Sequence, residues 1–108
     1  MGLFNPQLNN PIWKERFPLH AAVCNRDLNE AKMLLRQGAM VNDVDSYGNT
    51  PLFYGTLAED VAMVRALLRG GADPNKTSSQ GVLPLWIADD DFDFPEVAKI
   101  LREYGARK

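Results

Sequence analysis

Three sets of residues recur at one fixed interval along this 108-residue chain, and that interval limits its fold more than any single motif does. Pro18-Leu19, Pro51-Leu52 and Pro84-Leu85 stand 33 residues apart, as do Leu34-Leu35, Leu67-Leu68 and Ile100-Leu101, and also Asp27, Asp60 and Asp93. Such self-similarity marks one supersecondary unit stacked on copies of itself. The fullest copy runs from Asp43 to Asn75.

Within that copy, Asp45-Ser46-Tyr47-Gly48 is turn chemistry, because Asp bonds nearby backbone and Gly accepts a positive φ. Thr50 before Pro51 reads as a helix cap followed by a first-position proline, whose missing N–H costs nothing there. Leu52 to Ala58 is too short to be a stable helix alone and must be held by packing. A longer helix follows from about Asp60, with Val61, Val64, Leu67 and Leu68 on one apolar stripe, and Gly70-Gly71 stops it. The unit is turn, short helix, longer helix, stop. It cannot bury its stripe by itself, so neighbouring copies must cover it.

Composition agrees with one small domain. A 45% hydrophobic content and a net charge of −2 describe an ordinary soluble chain, neither disordered nor nucleic-acid-coating. The single cysteine, Cys24, forbids an internal disulfide and points to a reducing, cytoplasmic setting. No apolar run approaches the roughly eighteen residues needed to cross a bilayer, and no secretory signal pattern is visible.

The spacing Asp45-x-x-Gly48-x-Thr50-Pro51-Leu52, then Leu67-Leu68-x-x-Gly71-Ala72-Asp73-x-Asn75, resembles the ankyrin repeat, and the resemblance extends over residues 15–108. It implies an all-α solenoid of three helix-turn-helix repeats with β-turn-like connecting loops, near 15–42, 43–75 and 76–108. Residues 1–14 stand outside the repeats. Leu3, Phe4, Leu8, Ile12 and Trp13 are too many apolar groups for a free tail, so this segment is expected to cap the first repeat, with Pro11 opening a short helical turn. The family acts by recognising other proteins. Its first helices and turn tips line a concave face, on which Tyr47, Asn49, Leu57 and Trp86 would fall. His20 holds the histidine position of the family's T-P-L-H motif, which implies hydrogen bonds between neighbouring turns and not catalysis or metal binding. Phe53, Tyr54 and Gly55 depart from that motif. Glycine in a helix costs about 1 kcal/mol relative to alanine, and Gly55 is expected to make room for Tyr54 or Trp86.

Repeat three departs furthest. Leu83 and Trp86 stand for the motif's Thr and His, and Asp89, Asp90, Asp91 and Asp93 are four of the chain's nine aspartates. Its closing Gly105 comes one residue late. The extra residue is placed in the loop between the two helices, since Pro95-Glu96 suits a first helical turn; strict register of Ile100-Leu101 would put it at the helix end. The run fails as a calcium loop, having Phe94 where Gly is required and Ile100 where a bidentate Glu belongs. It reads either as a solvated loop favouring the next helix N-terminus or as a docking site for a basic surface, with Phe92 and Phe94 as apolar anchors.

No glycine-rich phosphate loop, paired metal ligands or catalytic triad order appears around the lone His20 and Cys24. The acidic run would repel nucleic acid. The chain is therefore expected to be a non-catalytic protein-interaction module without cofactor or metal, monomeric on its own. Its binding residues are Tyr47, Asn49 and Trp86 on the concave face and Asp89, Asp90, Asp91, Phe92 and Asp93 on the acidic loop. An inhibitor or immunity protein neutralising a toxin with a basic surface is one form of that role. The alternative is a structural or assembly adaptor using only the concave face.

Overall fold

Each repeat becomes a pair of helices, and local chemistry sets where each helix begins. The computed structural model describes residues 11–108, leaving aside the side chain of Asp91. Helix α1 (Pro11–Arg16) precedes three pairs: α2 (Pro18–Cys24) with α3 (Leu28–Arg36), α4 (Pro51–Leu57) with α5 (Val61–Arg69), and α6 (Pro84–Trp86) with α7 (Pro95–Glu103). A π-helical turn, Ile87–Asp91, continues α6. There is no strand among the described residues. The first helices stack α2 on α4 on α6, and the second helices stack α3 on α5 on α7. Leu3, Phe4 and Leu8 of the expected cap lie outside the described residues.

Thr50 caps α4 as its sequence implies: its Oγ1 accepts the Phe53 amide at 3.1 Å, and Pro51 fills the first position. Asp27 and Asp60 accept the Glu30 and Met63 amides at 3.1 and 3.3 Å and so cap α3 and α5. Phe17 stands at the cap of α2 without a side-chain oxygen, and its ring meets His20 edge-on at 5.5 Å. Val23, Leu52, Met63, Val64, Leu67, Val97 and Leu101 are at most 1% exposed, so the core runs unbroken between the helix pairs.

Repeat three absorbs its extra residue between the helices, as expected, but inside a helical turn and not in an open loop. The left-handed residues Arg26, Glu59 and Asp93 (φ 57°, 52° and 56°) fall at intervals of 33 and then 34. The bond closing each helix pair runs from Asp27 to Ala22, from Asp60 to Gly55, and from Phe94 to Ala88, so the insertion lies between Ala88 and Phe94. The Phe92 amide donates to the Ile87 carbonyl five residues back at 3.1 Å. Widening one turn to this π pattern lets a residue enter while both flanks keep their register. With the insertion there, Phe94 occupies the α7 cap position, one residue after Asp93, and the fully buried Leu101 takes the place of the fully buried Leu67, as an extra residue between the helices requires.

Gly55 does not reserve space for Trp86. A methyl built on it would meet Val64, Leu67 and Val23 at 3.5, 3.6 and 3.6 Å, which is ordinary contact. Gly55→Ala is therefore expected to stabilise the domain by about 1 kcal/mol through helix propensity. That raises the melting temperature by roughly 4–8 °C; a lower melting temperature would show that the site needs glycine.

Candidate functional site

One buried carboxylate organises the first two turns. Asp45 is 5% exposed, and its Oδ1 accepts the amides of Tyr47 at 3.0 Å and Asn49 at 3.1 Å. Its Oδ2 accepts the Tyr54 hydroxyl at 2.7 Å and the Trp13 indole N–H at 3.2 Å. Thirty-three residues later Ser78 stands in its place, and a single Oγ accepts the Gln80 and Val82 amides, both at 3.2 Å. One oxygen is enough to close the turn. The second oxygen of Asp45 answers two buried donors, and the residue equivalent to Tyr54 in repeat three is Ile87, which brings none.

His20 joins this cluster from the neighbouring repeat. Its Nε2–H donates to the Asn49 carbonyl at 2.9 Å, and the ring lies edge-on to Trp13 and Tyr54 with centroids 6.4 and 6.1 Å away. This is the tie between turns that the family resemblance implies. Burial lowers the His20 pKa from its ordinary 6.5, outweighing the hydrogen bond to Asn49 and the charge of Asp45. A depressed pKa means that the unfolded chain binds the proton more readily. Its contribution is thus fully present above about pH 6.5 and is lost as pH falls below that value towards the folded pKa. Urea midpoints should drop between pH 7.5 and 5.5 in the wild type, and His20→Asn should flatten that drop; an equal drop in both would assign it to other groups. Cys24 is buried, and that burial, with the charge of Asp45, pushes its thiol up to about 12, so it is no nucleophile at neutral pH.

Turn tips and first helices of repeats two and three enclose a groove of about 260 Å³, whose lining includes Asn49, Phe53, Leu57, Ser79 and Phe92. Asn49 is already committed there. Its Oδ1 accepts the Ser79 amide at 3.2 Å and its Nδ2 donates to the Tyr54 hydroxyl at 3.4 Å, so it stitches adjacent turns. Phe92 is 48% exposed, Tyr47 44% and Trp86 40%, so each of the three aromatic side chains keeps solvent-accessible surface. Among the sequence-derived residues, then, Asn49, Leu57 and Phe92 share one groove, which Tyr47 and Trp86 do not line. Trp86 follows His20 and Phe53 at the repeat interval, and those two point at the next repeat, so Trp86 faces away from repeat two.

The acidic run is folded in on itself. Asp89 pairs with Arg102, and the Lys108 Nζ lies 3.3 Å from Asp89 and 2.7 Å from Asp90. Desolvation works to raise the Asp89 pKa, but the hydrogen bond from Lys108 and the charges of Arg102 and Lys108 prevail and hold it below the ordinary carboxylate value. The repeat interval explains the location. Asp89 stands where Val23 and Thr56 stand, and Arg102, counting the inserted residue, where Leu35 and Leu68 stand. Val23 and Leu35 lie against Gly55 and Gly70 of the next repeat. On the outer face of repeat three an ion-pair network replaces those apolar contacts. Phe94 is half-buried against the core and supports Phe92, whose ring stacks on it at 5.5 Å and 11°. Phe94 is thus held by its own domain, while Asp93 stays exposed and the Asp91 side chain lies outside the described part. The Asp45–Trp13 link escaped sequence reading because nothing local relates residues 32 apart.

Among the described residues no cluster of three His, Cys, Asp or Glu side chains is arranged to hold a metal ion, and no helix is long and apolar enough to cross a membrane. A family model described as ankyrin repeats (3 copies) matches residues 3–78. The human ASB11 ankyrin repeat domain is similar, with 33% identity, 83% of this chain and 40% of that one covered, and a TM-score of 0.75. The ankyrin repeat domain of Bcl-3, a unique member of the IkappaB protein family, has 29% identity, 82% and 39% coverage, and a TM-score of 0.78. The chain spans about two-fifths of the length of these two domains. No curated protein matches its sequence.

Proposed function

The chain belongs to the ankyrin repeat family, whose members are protein–protein interaction modules, and on that footing we propose that it is a non-catalytic binder of a protein partner through the groove between its turn tips and first helices. The exposure of Phe92 at the edge of that groove carries the reading. A half-exposed aromatic ring braced from behind by Phe94 is pre-ordered, so a partner would bury it with little entropy loss. Tyr47 and Trp86 extend the surface to the turn tip and to the side of repeat three that faces away from repeat two. Asn49 contributes by setting the turns and has few groups left to offer a partner. A photo-crosslinking side chain at position 47, used in lysate, would identify the partner for affinity measurement. Phe92→Ala is then expected to weaken binding at least ten-fold with an unchanged melt, about 1.4 kcal/mol or more. Unchanged affinity would remove the groove from the interface.

The acidic run supports a second reading, in which the partner presents a basic surface and binding inhibits it, as an immunity protein neutralises a toxin. Four aspartates stand against the two cations Arg102 and Lys108, so negative charge remains to steer association. An assembly adaptor would use the groove alone and show no such steering. The burial of the Cys24 thiol suits a reducing, cytoplasmic setting. Residues 1–14 are assigned as a cap and 15–108 as the repeat domain.

A further inference from the structure

The outer faces of α3 and α5 form an open groove of about 740 Å³, opposite in chemistry to the acidic end of the stack. Its cations are themselves a repeat: Lys32 and Arg36 on α3 recur 33 residues later as Arg65 and Arg69 on α5. Within each pair the two residues are one helical turn apart, so the four charges stand as two parallel rows. Between the rows the floor is apolar, built from Leu28, Leu35, Val61 and Ala66. Among the described residues Lys32, Arg36 and Arg69 make no ion pair, and Arg65 has only Glu103, at the outer limit of 4.0 Å. Arg36 and Arg69 sit in the last turns of α3 and α5, where a cation favours the helix end, but the four like charges still repel one another across a half-buried apolar floor.

We propose that this groove is a second interaction surface, which receives an acidic amphipathic helix of a partner protein. A trough between two packed helices fits the side-chain ridge of a third, which would lie at the usual 8–10 Å spacing. An apolar stripe on that helix would cover Leu28, Leu35, Val61 and Ala66, and carboxylates at i and i+4 on each flank would meet the cation rows. Charge complementarity selects the sign and the apolar floor selects protein over nucleic acid, because phosphates gain nothing from aliphatic carbon. Glu96 at the α7 edge sets the limit of the basic stretch. The surface lies on the second helices, so it is separate from the groove and aromatic residues assigned above.

The test uses the full chain and a designed helical peptide of about 18 residues, five turns, with a leucine stripe flanked by glutamates. Fluorescence anisotropy at low salt is expected to give saturable binding in the micromolar range. Arg36→Glu with Arg69→Glu should weaken it at least ten-fold, roughly a hot-spot effect, while Phe92→Ala leaves it unchanged. If the charge reversal lowers the melting temperature, Arg36→Gln with Arg69→Gln makes the same comparison. A scrambled peptide of identical composition is expected to bind at least ten-fold more weakly. Equal binding by the scrambled peptide, no binding of the helix at about 100 μM, or tighter binding of a uridine oligomer or phosphatidylserine vesicles would overturn the proposal.

Discussion

Asp45→Ala is expected to cost the domain about 3–5 kcal/mol, because buried donors left without an acceptor cost about 1–3 kcal/mol each. The loss is large because the substitution leaves four donors unanswered at once. The Tyr47 and Asn49 amides lose the oxygen that closes their turn, and the Trp13 and Tyr54 side chains lose theirs in the buried cluster. Asp45→Asn should cost less, about 1–2 kcal/mol. Its amide oxygen can still hold the turn, while its NH2 can donate to the Tyr54 oxygen but opposes the Trp13 N–H. Urea unfolding followed by circular dichroism measures both. Equal losses for Ala and Asn would mean that the second oxygen contributes nothing. A loss below about 1 kcal/mol for Ala would place the strength of the cluster in its ring packing.

Trp13→Ala is expected to lower stability by a similar amount, about 3–5 kcal/mol, as large-to-small core substitutions of tryptophan do. Trp13 is only 4% exposed, and its ring touches Phe17, His20 and Tyr54, so truncation removes apolar area from two repeats and strands the Asp45 Oδ2 contact. Helix α1 occupies the place that the turns at Asp45 and Ser78 take in the later repeats, and Trp13 is the one buried residue by which it attaches. A stack of three repeats has few interfaces to lose. The melting temperature should fall by more than roughly 10 °C. The double variant with Asp45→Ala should lose less than the sum of the two, because both remove the same hydrogen bond. If Trp13→Ala melts within a few degrees of the wild type, α1 is an appendage and the cap assignment of residues 1–14 fails.

The sequence by itself determined the repeat period, the number of copies and the helix starts at Thr50-Pro51 and near Asp60. These are local: a cap and its amide are three residues apart, and a positive φ belongs to one residue. It also located the inserted residue between the helices of repeat three, but not its form. Strict register of Ile100-Leu101 was the alternative, and the hydrogen-bond pattern of the π turn shows instead that the residues after it are shifted by one. The tertiary structure decided what the surface is. Four aspartates within five residues read as free charge, yet Asp89 meets Arg102 and Asp90 meets Lys108, 13 and 18 residues further on, because α7 and the residues after it fold back over the π turn. Asn49, read as a binding residue, spends its side chain on Ser79 and Tyr54. Lys32 and Arg65 are unremarkable in sequence and become one basic groove only when α3 lies beside α5. A repeat fixes which residues are equivalent; which equivalent residues meet, and which face water, depends on how one copy is packed against the next.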